Sequence, residues 1–484
     1  MNLRVPPHGR LALPRLIVLL AAGALLCAGV RGAGASDRAV IDGNAAGRIA
    51  AGRAAGDRAA GDRAAGDRAA GDRAAGDRAA GDRAAGDRAA GDRALADPSI
   101  ARQAPGPRAS GPQDPAGVVA RGAYLARLGN CEGCHSTPGS RAYAGGRGLP
   151  TPFGTVYPGN LTPDAATGLG RWSADEFWRA LHEGRSRDGR RLVPAFPYTA
   201  FTRLTRADSD ALHAYLQTLP AVAQPNRPHA LRFPYGTQFA LWAWQWLFFE
   251  PAPATPAAAA RTARGEYLVR AIGHCTACHS PRNALGAEDE SLAGGVMPGQ
   301  GWYAPPLRLP PGAEAPLADF VQLMRTGRNA HGSAIGPMAA VVHRSTQYWS
   351  DADLEAAGRY LQSLPPLDGP VRTAAAAPAH LLLSGERLYV ERCADCHGKD
   401  GRGVAGVYSP LAGNPTVLQP ELHNLVKMLH YGGFAPSTAA FPRPYGMPPQ
   451  ELSDEQAAAL VSYVRQAWGN GAPAASALDV MRAR

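Results

Sequence analysis

From about residue 116 onward, apolar positions fall into three recurring groups, separated by polar stretches rich in Gly and Pro. Each group opens with a helical pattern that runs into a pair of cysteines. The three openings are Arg121-Gly122-Ala123-Tyr124-Leu125, Arg264-Gly265-Glu266-Tyr267-Leu268 and Ser384-Gly385-Glu386-Arg387-Leu388. Each group closes with an amphipathic helix marked by an N-cap: Thr205 with Asp208, Ser350 with Asp353, and Ser453 with Gln456, all in capping-box spacing. A tyrosine stands ten residues after each cap, at Tyr215, Tyr360 and Tyr463. This regularity predicts one helical domain type used three times, over residues 116–222, 262–368 and 380–470. Gly and Pro fill the middle of each block, so few strands are expected. Residues 223–261 and 369–379 read as linkers, and 471–484 as a C-terminal tail.

The N-terminal pattern is different. Arg4, Arg10 and Arg15 precede an apolar run from Leu16 to Val30, and Ala33-Gly34-Ala35 supplies small residues for cleavage. This predicts a cleaved secretory signal over residues 1–35; the apolar run is short for a membrane span. Residues 54–93 are eight identical copies of Ala-Ala-Gly-Asp-Arg. A five-residue period holds no single helical face, and the unit has no large apolar side chain to bury. Residues 36–115 are therefore expected to be a disordered, charge-balanced tether. The first linker contains Phe239–Phe249, with three Trp and three Phe. That run is either a helix packed between domains or an interfacial helix that docks a membrane or partner.

The cysteines decide the chemistry. Six of the seven lie in three Cys-X-X-Cys-His motifs: Cys131 to His135, Cys275 to His279 and Cys393 to His397. Such a motif attaches c-type haem: both thiols become thioethers, and the His is the proximal iron ligand. The seventh, Cys27, lies in the signal segment, so no thiol is left for a structural disulfide. A zinc site needs four converging ligands and gives no reason for a His after every second Cys. The expected fold is mainly α, with three tandem class I cytochrome c-like domains around three covalently bound haems c. The formal charge of +10 falls to about +6 without the signal segment. The propionates of three haems bring it close to neutral, so nothing points to nucleic acid.

A haem that carries electrons commonly takes Met as its sixth ligand, which raises the potential. Met338, 59 residues after His279, and Met447, 50 residues after His397, lie beside Pro337 and Pro448 on expected loops before the last helix of each block. They are the expected distal ligands; Met297, Met324 and Met428 read as loop or core positions. The first block has no Met. Phe196 stands at the matching position, 61 residues after His135, and offers no donor atom. The first haem is expected to be five-coordinate or water-ligated; His182 is the leading candidate for a sixth ligand, with His213 behind it.

At these motifs the chain resembles the triheme cytochrome c subunits of membrane-bound, quinone-reducing dehydrogenases acting on alcohols, gluconate, sorbitol, fructose or aldehydes. The resemblance spans about residues 116–470. It is strongest at Arg264–Arg282, Gly301-Trp302-Tyr303-Ala304-Pro305, Ser345-Thr346-Gln347-Tyr348 and Tyr463–Asn470. The resemblance implies a separate catalytic dehydrogenase subunit with flavin, pyrroloquinoline quinone or molybdenum, from which electrons pass to ubiquinone. It also implies a peripheral seat on the periplasmic side of the bacterial inner membrane. Phe196 departs from the family pattern, which has Met there. No dinucleotide fingerprint or hydrolase triad is present, so the chain is expected to transfer electrons rather than do organic chemistry. The alternatives are an independent periplasmic shuttle, or a haem enzyme that uses an open first haem.

Overall fold

The structure, a computed structural model, describes residues 114–253, 264–297, 299–310, 315–367 and 376–484. The expected signal segment, nearly all of the tether and most of the second linker lie outside these. The described residues are mainly helical, with small antiparallel two- and three-stranded sheets at loop margins.

The first segment comprises α1 (Pro115–Leu128), α2 (Cys131–His135), α3 (Ala174–Glu183), α4 (Tyr198–Phe201) and α5 (Arg206–Gln217). The aromatic run forms α6 (Gln238–Phe248). The second segment holds α7 (Arg264–Glu266), which runs on as a π-helical stretch to Ile272, then α8 (Thr276–His279), α9 (Leu317–Thr326), α10 (Gly336–Arg344) and α11 (Asp351–Gln362). The third holds α12 (Ala379–Arg392), α13 (Ala394–His397), α14 (Pro415–Leu418), α15 (His423–Tyr431), α16 (Asp454–Gln466) and α17 (Ala477–Ala483).

One helix crossing recurs in all three segments and explains two sequence regularities together. The opening helix meets the closing helix at a glycine: Gly122 on α5, Gly265 on α11, Gly385 on α16. A methyl group at any of them would be driven into a backbone carbonyl of the facing helix, that of Ala211, Ala356 or Ala459, and would lie 2.7 Å from Cβ of Tyr215, Tyr360 or Tyr463. Only a residue without Cβ permits this approach. The tyrosine ten residues after each cap is the residue that covers the glycine.

The three caps diverge. Ser453 and Gln456 close a full capping box on α16. Thr205 and Ser350 cap α5 and α11 through their hydroxyls, but the carboxylates of Asp208 and Asp353 do not fold back. They reach across to the other segment instead. Tyr124 donates to Asp353 at 2.7 Å, and Tyr267 donates to Asp208 at 2.5 Å. Arg264 holds Asp353 with two bonds of 2.8 Å, and Arg121 holds Asp208 at 2.5 Å. The two contacts are mirror uses of the same positions, and the two segments share one apolar core, including Leu125, Leu128, Leu212, Leu268, Ile272 and Leu354.

The third segment joins the second by other means. Asn424 on α15 accepts from Tyr303 N at 3.0 Å and donates to Tyr303 O at 2.8 Å. Arg328, 8% exposed, donates to the carbonyls of Gly406 and Val407. Residues 471–484, expected to be a tail, instead contain α17. Ser476 and Asp479 form a capping box at its start, and Val480 and Ala483 are buried beside Ala457 and Ala458 of α16.

Candidate haem sites

Each motif histidine is fixed by the same device. Nδ1 of His135 lies 2.7 Å from the Gly159 carbonyl, that of His279 2.6 Å from Pro305, and that of His397 2.9 Å from Ser409. A carbonyl partner requires the proton on Nδ1, which leaves the Nε2 lone pair free for a metal. Burial holds all three imidazoles below their ordinary pKa, the carbonyl contact pulling back only in part, so they are neutral donors. Both cysteines of each motif sit on or at the edge of the same short helical turn and are unpaired. Burial pushes the thiols of Cys131 and Cys275 up to about 12 and that of Cys393 to about 11, and it raises that of Cys134 as well. A dithiol redox centre works through a depressed pKa. Among the described residues no three His, Cys, Asp or Glu side chains converge as a zinc site requires. The motifs therefore fit haem attachment and not the two alternatives.

The first two motifs lie near each other. Burial raises the Cys278 thiol to about 11, and Cys134 of the first motif adds to the rise. The first motif helix, α2, also packs against α10, which carries Met338. The other end of this arrangement touches the third segment: α10 packs on Gly433–Phe434, and Ser333 Oγ lies 2.7 Å from Oγ of Ser409, whose carbonyl holds His397.

On the distal side, Met338 was expected on a loop but lies in the first turn of α10, after Gly336 and Pro337. Proline favours this position because its missing N–H is unpaired there in any case. The Trp302 ring covers Gly336, whose φ of +52° and close approach both suit glycine. Met447 lies in a two-residue strand, Gly446–Met447, paired with Gly433–Phe434, and it packs with Cys393 around one apolar cluster. Phe196 and Cys131 likewise pack against one shared apolar cluster. His182 is buried, stacks on Trp178 at 4.4 Å, and has no partner for Nδ1. Nothing described brings it to the first motif. His213 is engaged elsewhere, with Nε2 3.1 Å from the Trp172 carbonyl. Met324 packs against the core, as expected.

Residues 119–220 and 383–468 match the cytochrome c family. The chain is 38% identical over 398 residues to the cytochrome c subunit of alcohol dehydrogenase (quinone) from Gluconacetobacter polyoxogenes, covering 76% of this chain and 84% of that one. It is 36% identical to the gluconate 2-dehydrogenase cytochrome c subunit of Pantoea cypripedii (76% and 89% covered). It is 32% identical to the fructose dehydrogenase cytochrome subunit of Gluconobacter japonicus (76% and 82%). The chain belongs to the cytochrome c subunits of quinone-linked dehydrogenases. It is an electron-transfer protein that binds haem c covalently.

For this cytochrome c subunit the carbonyls that orient the proximal imidazoles were not foreseen. They lie 24, 26 and 12 residues after their histidines, so spacing carries no signal. The visible clue is proline: Pro158 precedes Gly159, Pro305 is itself an acceptor, and Pro410 follows Ser409. Gly301–Pro305 gains a physical role, since Pro305 holds His279 while Trp302 covers the turn before Met338.

Proposed function

We infer that this chain is a triheme electron carrier that takes electrons from a catalytic dehydrogenase subunit and passes them to ubiquinone at the membrane. The observation that carries this reading is the threefold His–carbonyl device behind three Cys-X-X-Cys-His turns. Cys131 and Cys134, Cys275 and Cys278, and Cys393 and Cys396 would hold the haems as thioethers, with His135, His279 and His397 as proximal ligands. Met338 and Met447 would supply sulfur on the distal side; Phe196 leaves the first site open, with His182 the remaining donor candidate. Haem held at these sites supplies one-electron transfer. The chain's own part is to fix each imidazole, exclude water and hold the sites in series, the second touching both others.

The substrate class belongs to the partner, of flavin, pyrroloquinoline quinone or molybdenum type. Export by a cleaved signal would place the chain on the periplasmic side of the inner membrane. No helix among the described residues is long and apolar enough to cross a membrane. Both readings of the aromatic run find support in α6. Trp244 donates to the Leu285 carbonyl, and its ring meets Tyr198, so one face bridges the first two segments. Phe239 and Trp242 on the helix, with Phe233 before it, are exposed. This face suits the headgroup boundary, where Trp is favoured. Haem stoichiometry tests the reading: purified chain should carry three haems, each with the spectrum of a double thioether. Two haems, or none, would refute it.

A further inference from the structure

Glu288 is a buried carboxylate outside the three Cys-X-X-Cys-His motifs. Its side chain is 7% exposed. Thr199, from the first segment, donates to Oε1 at 3.0 Å. Oε2 has no hydrogen-bond partner, and the nearest cation, Arg282, stands 3.7 Å away. Arg282 has other work: its guanidinium donates to the Gly286 carbonyl at 2.7 Å and to the Ala277 carbonyl at 2.5 Å. Ala277 lies inside the second attachment motif, so Arg282 ties Glu288 to the turn that carries Cys278 and His279. Glu290 is nearby but is clamped by Arg203 at 2.7 and 3.0 Å, with Arg270 at 4.0 Å.

A buried carboxylate with one vacant acceptor and one unbonded cation is balanced between its two protonation states. Burial raises its pKa above the ordinary range; Arg282 and the Thr199 hydroxyl pull it back, Glu290 adds to the rise, and Arg203 opposes it. Its charge is also felt at Cys278. A unit of negative charge added beside it would tip the balance toward the acid, because Coulomb interactions are strong where water is excluded.

We propose that Glu288 is a redox-linked proton acceptor for the second haem site, binding a proton when that site gains an electron and releasing it on reoxidation. This rests on the assignment of Cys275, Cys278 and His279 to a haem. One electron, supplied by the dehydrogenase partner, goes to the haem iron; one proton from solvent bonds to Glu288 Oε2. No other bond changes, and reoxidation returns both. Glu290, with 21% of its side chain exposed, opens the site toward water.

The test is a redox titration of the purified holoprotein at a series of pH values, for wild type and Glu288→Gln. In wild type one potential falls as pH rises. In Glu288→Gln that dependence is lost and the same potential is higher at alkaline pH. Equal pH dependence in both proteins, at full haem content, overturns the proposal. Loss of only the proposal is thus distinct from failure of the haem assignment, which a missing second haem in wild type would reveal. Should the variant not assemble, the reduced-minus-oxidised infrared spectrum of wild type decides. Reduction must raise the carbonyl stretch of a protonated carboxylic acid, and a flat spectrum there contradicts the proposal.

Discussion

Tyr124, seven residues before the first attachment motif, donates its hydroxyl to Asp353, in the first turn of the second segment's last helix, at 2.7 Å. Its counterpart Tyr267 does the same to Asp208 in the opposite direction. The pair of contacts makes the first two segments one packing unit. Burial pushes the Tyr124 hydroxyl up to about 12, so it stays a donor throughout the physiological range. Hydrogen bonds to charged groups contribute about 1.5–3 kcal/mol. Tyr124→Phe should therefore lower the stability of the paired unit by about that amount, and Tyr124→Phe with Tyr267→Phe by up to twice it. Denaturant titration with haem absorbance as probe checks this; a double variant as stable as wild type would remove the contact from the account.

The same contact sets an acid limit. Burial of Asp353 opposes its ionisation, but Arg264 and Tyr124 outweigh burial and hold the carboxyl below its usual range. Its folded pKa is therefore lower than its unfolded value. The stabilisation is complete above the ordinary carboxyl pKa of about 4 and is lost as pH falls through the depressed folded value. Asp353→Asn should be less stable at neutral pH and lose less on acidification. Parallel acid profiles for the two proteins would contradict this.

Gly122, Gly265 and Gly385 each carry a helix crossing too close for a side chain. Alanine at any of them must push two helices apart, an overpacking cost of about 1–3 kcal/mol. Gly385→Ala should weaken the third segment first, visible as selective loss of its haem signal on heating.

The distal assignments predict separate shifts. Met338→Ala and Met447→Ala should each lower one potential and leave the others nearly in place, because thioether ligation raises the potential. Unchanged titrations would exclude the residue concerned. On the proposed reading Phe196 supplies no donor to the iron of the first site, so reduced protein should bind carbon monoxide at one haem. Phe196→Met should abolish that binding and raise the potential. Three haems inert to carbon monoxide in wild type would show that the first site has a sixth ligand.

The three Cys-X-X-Cys-His motifs stood out because covalent attachment would demand a rigid local pattern, and each folds as one short helical turn. The repeated helix pair was legible because its caps and tyrosines recur at fixed spacing. Contacts between segments were not, since Tyr124 and Asp353 are 229 residues apart and no local pattern joins them. A trace was nonetheless present in the capping positions: Asp208 and Asp353 stand where the third segment has Gln456, and Tyr124 and Tyr267 where it has Arg387. The capping-box spacing suggested that all three side chains fold back, and only Gln456 does. Met338 was read as a loop residue because Gly-Pro usually marks a turn; here the same dipeptide opens α10. Residues 471–484 looked like a tail because they are small and proline-interrupted, yet Ala472, Ala475, Val480 and Ala483 are all buried.

The most direct test of the electron-carrier account is recovery of this chain from detergent-solubilised membranes, with its partners and their cofactors identified. The account predicts a flavin, pyrroloquinoline quinone or molybdenum dehydrogenase bound to a three-haem chain, and substrate-driven reduction of its haems. A chain recovered alone from the soluble fraction, with no dehydrogenase able to reduce it, would contradict the account.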